Sequence, residues 1–297
     1  MKRNEVGGQA VIEGVMMKSD RKIAISVRKR KKIVTKKQTL KPNSKFAKLP
    51  FIRGVVNLYQ MLFIGIKALM WSAEQDSDEG EEEIKPWELT LLVIASFLVV
   101  FLFFIGLPYI LTNLIGFNEE ARPILFNLVD GFMRILFFLG YVIGVSFMKD
   151  VRRLFQYHGA EHKVINCFES GKKLNVKNIK RFSTLHPRCG TSFMIMVLLI
   201  AIAIFSVIPS IVMYFFSGFI DLGLVARKAI LFSIRIIVVP IIAGISYEGL
   251  KLSDKFKGGH IMKVLIKPGL LMQKYITTKE PTEKQIEVAL TSLKKVL

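Results

Sequence analysis

Long apolar runs separated by short polar connections dominate the second third of the chain and part of the last. Residues 89–115 carry no charged side chain, residues 191–216 carry none either, and residues 124–148 and 224–247 are interrupted by only a few. A helix needs about 20 apolar residues to cross the roughly 30 Å hydrocarbon core, so each run is long enough to span with some tilt. Residues 50–73 differ. Arg53, Asn57, Gln60 and Lys67 break the apolar positions, which predicts an amphipathic helix lying at a membrane interface rather than a fifth span. Upstream, AVIEGVMM, KIAISVRK and KIVTKKQTL are rich in Val, Ile and Thr with turn-like breaks, which predicts a small antiparallel sheet over 9–40. RKRKK (28–32) reads as a solvated hairpin turn. At the other end, Thr282 precedes Ile286, Ala289, Leu290 and Leu293 at helical spacing, the signature of a capped helix.

The expected fold is therefore an α-helical membrane protein of about four transmembrane helices. A basic, β-rich segment (1–49) comes first, then the interfacial helix (50–73) and an acidic linker (74–87), whose run EQDSDEGEEEIK reads as a solvated tether. The membrane domain (88–248) holds a polar loop at 149–190. A tail with its helix (249–297) follows.

Composition sharpens this. The chain has 297 residues, 52% hydrophobic content and a net charge of +20. Residues 1–50, 149–189 and 249–297 hold 35 of the 43 basic side chains. The connections at 117–122 and 217–223 hold few. The positive-inside rule then places both termini and the central loop in the cytoplasm of a bacterial cell, with the spans in its inner membrane. The basic segments can contact anionic lipid headgroups at about 1 kcal/mol per residue near the surface. No aromatic-rich RNA motif accompanies them, so nucleic acid is not an expected partner. The basic start MKRNEVGGQA has too short an apolar run for a signal peptide. Two cysteines, Cys167 and Cys189, exclude a disulfide scaffold.

The candidate chemistry lies in the central loop. YHGAEHKVINCFE (157–169) places His158 and His162 four residues apart with Glu161 between them. On a helix the two imidazoles share one face, and H-x-x-E-H is a spacing of zinc proteases whose Glu is the general base. A pair of polar residues near the membrane surface is the plainer reading. HPRCG (186–190) then adds His186 and Cys189 in one tight turn, or else a capped entry to the third span. Imidazole and thiolate together suit zinc, the expected cofactor. Cys167 points away from the histidine face. A closed set of four ligands would be structural. Three ligands and a water would be catalytic, with Glu161 taking the proton. Glu248 at the end of the fourth span is an alternative ligand, and Arg188 can hold an anionic substrate or a headgroup phosphate. Asp130, Arg134 and Arg235 read as a clamp between helices.

GGQAVIEGVMM, PFIRGVVNL, YHGAEHKVIN and HPRCGTSF together resemble the YqhQ-like family of bacterial multi-pass membrane proteins of unknown function. The resemblance runs through nearly the whole chain. It implies a membrane protein described as a predicted metal-dependent enzyme, its label resting on these same His, Glu and Cys positions. In GGQAVIEGVMM, Gln9 and Glu13 can orient metal ligands by hydrogen bonding, while Glu13 facing water is the plainer role. Three readings stay open: a membrane-bound zinc hydrolase acting on a membrane protein or lipid-linked substrate, a membrane assembly or regulatory protein with structural zinc, and, last, a transporter.

Overall fold

The computed structural model describes residues 6–40, 44, 47, 49–76, 86–119, 121–255 and 259–297. Most of the expected acidic linker lies outside these residues. The N-terminal sheet forms as expected. Strands β1 (Gly7–Val11), β2 (Gly14–Lys18), β3 (Lys22–Lys29) and β4 (Lys32–Thr39) form an antiparallel meander in the order β1-β2-β3-β4. Lys29 pairs with Lys32, so Arg30 and Lys31 make the hairpin turn inside RKRKK.

Both faces of the sheet are covered, which explains why VMM and IAISV read as nearly continuous apolar runs. Val15, Met17 and Ala24 face helices α5 (Lys149–Ser170) and α10 (Glu283–Val296). Met16, Ile23 and Ile25 face α1 (Ile52–Asp76), meeting its Met61, Ile64, Ala68 and Trp71. Helix α10 starts with a complete capping box between Thr282 and Gln285, which satisfies N–H groups the first turn would leave bare. Ser292 Oγ then donates to Ala24 O at 2.7 Å, fixing α10 against β3.

Among the described residues, five helical stretches, not about four, are long and apolar enough to cross a membrane. They are Ile52–Asp76, Ile94–Leu114, Pro123–Ser146, Gly190–Phe215 and Leu224–Leu252. The extra one is α1, whose four polar interruptions do not lower its average apolarity enough to exclude it. Helix α2 (Pro86–Phe101) runs through a π-helical turn (Leu102–Gly106) into α3 (Leu107–Leu114). Pro108 cannot donate to the carbonyl four residues back, a usual reason for such a widened turn. Helices α4 (Pro123–Ser146), α7 (Gly190–Phe215) and α8 (Leu224–Lys255) complete the apolar set.

The segment expected as a loop at 149–190 is largely helix. Helix α5 ends at Gly171, whose φ of 76° gives a left-handed stop, and a short α6 (Val176–Ile179) follows. The C-terminal tail holds a further helix, α9 (His260–Met272), and a π-helical turn, Gln273–Thr277. From that turn, residues 273–279 pass across α5 as a strap, with Lys279 N donating to Phe155 O at 3.0 Å.

Candidate metal centre

Three of the predicted side chains converge. One ligand atom each from His158, His162 and Cys189 lies within 4.8 Å of the other two. Helix α5 brings the histidines together by its i, i+4 spacing, with ring centroids 4.4 Å apart. Cys189 is the N-cap of α7, and its Sγ accepts from Thr191 N at 3.3 Å. His158 Nε2 lies 3.2 Å from Cys189 Sγ.

The other nitrogen of each ring decides the tautomer. His158 Nδ1 is 2.7 Å from Thr277 O, and His162 Nδ1 is 2.6 Å from Thr184 O. A carbonyl oxygen can only accept, so each Nδ1 carries a proton and, in the neutral ring, each Nε2 is left with a lone pair. Two Nε2 lone pairs therefore face one sulfur, which has at most one proton to offer. A thiol satisfies one of them and a thiolate satisfies neither, whereas a divalent cation satisfies all three atoms. A zinc ion with bonds of about 2.0–2.3 Å spaces tetrahedral ligands by about 3.3–3.6 Å, close to the 3.2 Å between His158 Nε2 and Cys189 Sγ.

The electrostatics agree. Burial holds the His162 imidazole below its ordinary value, favouring the neutral ligand form. Burial opposes the Cys189 thiolate, but His162 in its protonated form, together with the hydrogen bond from Thr191, pulls the thiol below the usual range. Glu161 is buried beside the cluster. Desolvation pushes its carboxyl up to about 8, against a smaller favourable effect of His158, and its Oε2 has no hydrogen-bond partner among the described residues. Strand β1 roofs it: a Cβ on Gly8 would lie 2.9 Å from Glu161 Oε1 and 2.8 Å from Met16 O.

The remaining candidates are placed elsewhere. The His186 ring is near, 5.7 Å from that of His162, yet its Nε2 turns to Glu169 Oε2 at 3.5 Å. Gln273 grips its backbone, accepting from His186 N at 2.9 Å and donating to His186 O at 3.0 Å. Arg188 pairs with the same Glu169. Glu248 is engaged by Arg53, and its Oε1 accepts from Phe51 N at 3.2 Å, so it anchors the start of α1 and is not aimed at the cluster. Here Gly54 lets α1 approach, since a Cβ would lie 2.8 Å from Tyr247 Cβ. Gln9 packs on Gly65 of α1. Glu13 is half-buried and occupied by Arg153 and Tyr157. Cys167 is buried away from the cluster, its Sγ 3.9 Å from Lys173 O.

Sequence reasoning missed the strap. Thr277 O and Gln273 position His158 and His186, and Gly159 exists to let the strap in: a Cβ there would lie 2.1 Å from Lys279 O. Backbone acceptors leave no residue-type signal. The glycine between two ligand positions was the one mark available.

The family model described as "Protein of unknown function (DUF1385)" matches residues 49–297. The chain belongs to this family. Among curated proteins, the DUF1385-family chain is 32% identical to "Uncharacterized protein YqhQ" of Bacillus subtilis (strain 168), over 98% of its own length and 92% of that relative's. No solved structure matches it. The DUF1385 match leaves out the sheet but includes all three clustered ligand residues and Glu161.

Glu161→Gln gives a prediction from burial alone. With its value raised to about 8, the buried carboxyl must take up a proton on folding near neutral pH or stay charged without a partner, and a neutral amide does neither, so the metal-free variant unfolds at a higher temperature than metal-free wild type. With zinc loaded, the cation compensates the carboxylate and the gain shrinks or reverses. Thermal unfolding of both proteins with and without metal checks it; an equal shift in both states contradicts it.

Proposed function

We propose that the chain is a multi-pass inner-membrane protein that holds zinc at the cytoplasmic membrane face and acts there as a hydrolase. One observation carries the metal reading: two imidazoles, each locked as the Nδ1–H tautomer, point bare Nε2 atoms at one thiol. This is the arrangement that metal-ligating histidines adopt, the second nitrogen bonded to a carbonyl that orients the ring. His158, His162 and Cys189 would hold the ion. Bound zinc would supply Lewis-acid polarisation and an acidified water at neutral pH.

With His186 committed to Glu169, the set has three ligands rather than four, the count of a catalytic site. Glu161 is the proton carrier. Its Oε2 is unpartnered, and a carboxyl with a value near neutrality can take a proton from water and return it to a leaving group. The substrate is a membrane peptide or a lipid-linked group.

Topology supports a membrane-surface site. Cys189 caps α7 at the end that follows the basic 149–189 segment, the cytoplasmic side by the positive-inside rule. Helix α1 gives one face to the sheet, through Ala68 and its neighbours, while Tyr59, Leu62, Phe63, Ile66 and Met70 stay exposed on the other. A helix with a protein sheet along one side and an apolar face on the other suits the bilayer interface rather than a span surrounded by lipid.

The burial of His162 and Cys189 favours a second reading, structural zinc tying the central segment to the sheet. Cobalt replacement separates the two. Full-length protein in detergent, loaded with Co(II) in place of zinc, is titrated with azide. An exchangeable position gives a shift in the visible d–d spectrum on azide binding, the expected result. A tetrahedral cobalt spectrum that azide leaves unchanged assigns the site to the structural reading.

A further inference from the structure

A second polar group lies at the far end of α7 from Cys189, where α4 and α8 begin. Lys228 donates to Glu119 and to the Tyr109 hydroxyl. Arg235 reaches the same Glu119 at 3.5 Å and Asn127 Oδ1 at 2.8 Å. Asp130 pairs with Arg134 at 2.9 Å. The sequence alone suggests an interhelical clamp among Asp130, Arg134 and Arg235, and Arg134–Asp130 and Arg235–Asn127 behave as one. A clamp does not account for the balance of charge. Among the described residues of this group, three cations meet two carboxylates, because Glu119 serves both Lys228 and Arg235. Charge left over near hydrocarbon is costly, so it marks a functional site by default.

Lys228 and Glu119 of this group also line a cavity. About 110 Å³ of space is bounded by Glu119, Arg227 and Lys228 on one side and by Pro209, Met213 and Leu231 on the other. Pro209 has no N–H for the carbonyl of Phe205, so the hydrogen-bond ladder of α7 lacks one bond at this level while the helix continues. Helix α8 starts at Leu224, and its first turn turns the positive end of the helix dipole toward the same region. The cavity is roomy enough for one small headgroup such as a phosphate. The chain-like surface is outside it: Tyr214, Phe215 and Ile220 are exposed alongside, aromatic and apolar side chains of the kind that sit at headgroup depth.

We propose that this end of the helix bundle binds the phosphate of an anionic phospholipid. Lys228 is the main contact, Arg227 stands at the rim, and the acyl chains lie along the exposed ends of α7 and α8. The inference rests on the membrane reading and is independent of the metal centre, which stands at the opposite end of α7.

The test uses the full chain purified in neutral detergent, with native mass spectrometry reading the binding of dioctanoyl phosphatidylglycerol, dioctanoyl phosphatidylcholine and inorganic phosphate. Wild type is expected to prefer phosphatidylglycerol by about tenfold, the scale of one charge-assisted hydrogen bond. Lys228→Gln removes that preference. Met213→Trp fills the cavity, leaves every charge in place and also removes it, so it decides the matter should Lys228→Gln fail to fold. Equal binding of the two lipids by wild type, or a preference that survives Met213→Trp, overturns the proposal. So does displacement of the lipid by inorganic phosphate at equal concentration, which would make free phosphate the ligand.

Discussion

Cys189→Ser weakens zinc binding about a thousandfold while leaving the fold of the metal-free protein intact. The first half follows from ligand chemistry. A serine hydroxyl stays protonated near neutral pH and replaces a soft anionic sulfur by a hard neutral oxygen. Losing a ligand exceeds the 10- to 100-fold cost that follows when a group merely orienting a ligand is lost. The second half follows from the other task of Cys189. Its Sγ caps α7 by accepting from Thr191 N, and serine is a better cap than cysteine. The helix entry is therefore kept, and a fall in metal affinity cannot be put down to a disordered α7. Competition against a chromophoric chelator measures the affinity. A change within about threefold would remove Cys189 from the ligand set.

Gly159→Ala destabilises the protein by about 2 kcal/mol and weakens metal binding by at least about tenfold. Alanine favours a helix over glycine by about 1 kcal/mol, so an open helical glycine would gain. Here the new methyl would sit 2.1 Å from Lys279 O and 3.3 Å from Thr184 Cγ2, and the strap must lift. Overpacking of this kind typically costs about 1–3 kcal/mol beyond what propensity returns. Lifting the strap moves Thr277 O, two residues away, from His158 Nδ1, and Thr184 O holds His162 from the other side. Both orienting carbonyls are disturbed by one methyl group, hence the effect on metal affinity. Gly140→Ala is the control. Gly140 lies within α4 and has nothing within 4 Å of an added Cβ, so its stability stays level or rises. Thermal unfolding in detergent and the chelator assay read both variants. Parallel behaviour of the two would show that the strap does not position the histidines.

What could be read from sequence divides by how far the deciding partner lies along the chain. The apolar helices were legible as helices because apolar runs of about 20 residues with few or no charges are too long for strands. The sheet was legible from its β-branched runs, and the apolar residues on both faces follow from its being covered by α1 on one side and α5 with α10 on the other. His158 and His162 were legible because i, i+4 geometry is local. Cys189 joined them through a second short motif. Its neighbour His186 looked equivalent in HPRCG. Its ring is instead drawn to Glu169 and its backbone to Gln273, partners that no spacing within the motif reveals. Glu248 looked free because Arg53 stands 195 residues earlier. In the same way, Glu119 read as part of a plain polar connection until Lys228 and Arg235 were seen to share it. Alpha-helical pattern alone could not rank α1, since its amphipathic interruptions and its average apolarity point in opposite directions.

The central claim is that His158, His162 and Cys189 hold a metal and His186 does not. Elemental analysis of wild type, His162→Ala and His186→Ala, each purified under identical zinc-replete conditions, tests it most directly. Wild type and His186→Ala should each carry about one zinc per chain, and His162→Ala should carry none. Equal zinc in wild type and His162→Ala, or zinc lost in His186→Ala and kept in His162→Ala, would contradict the account.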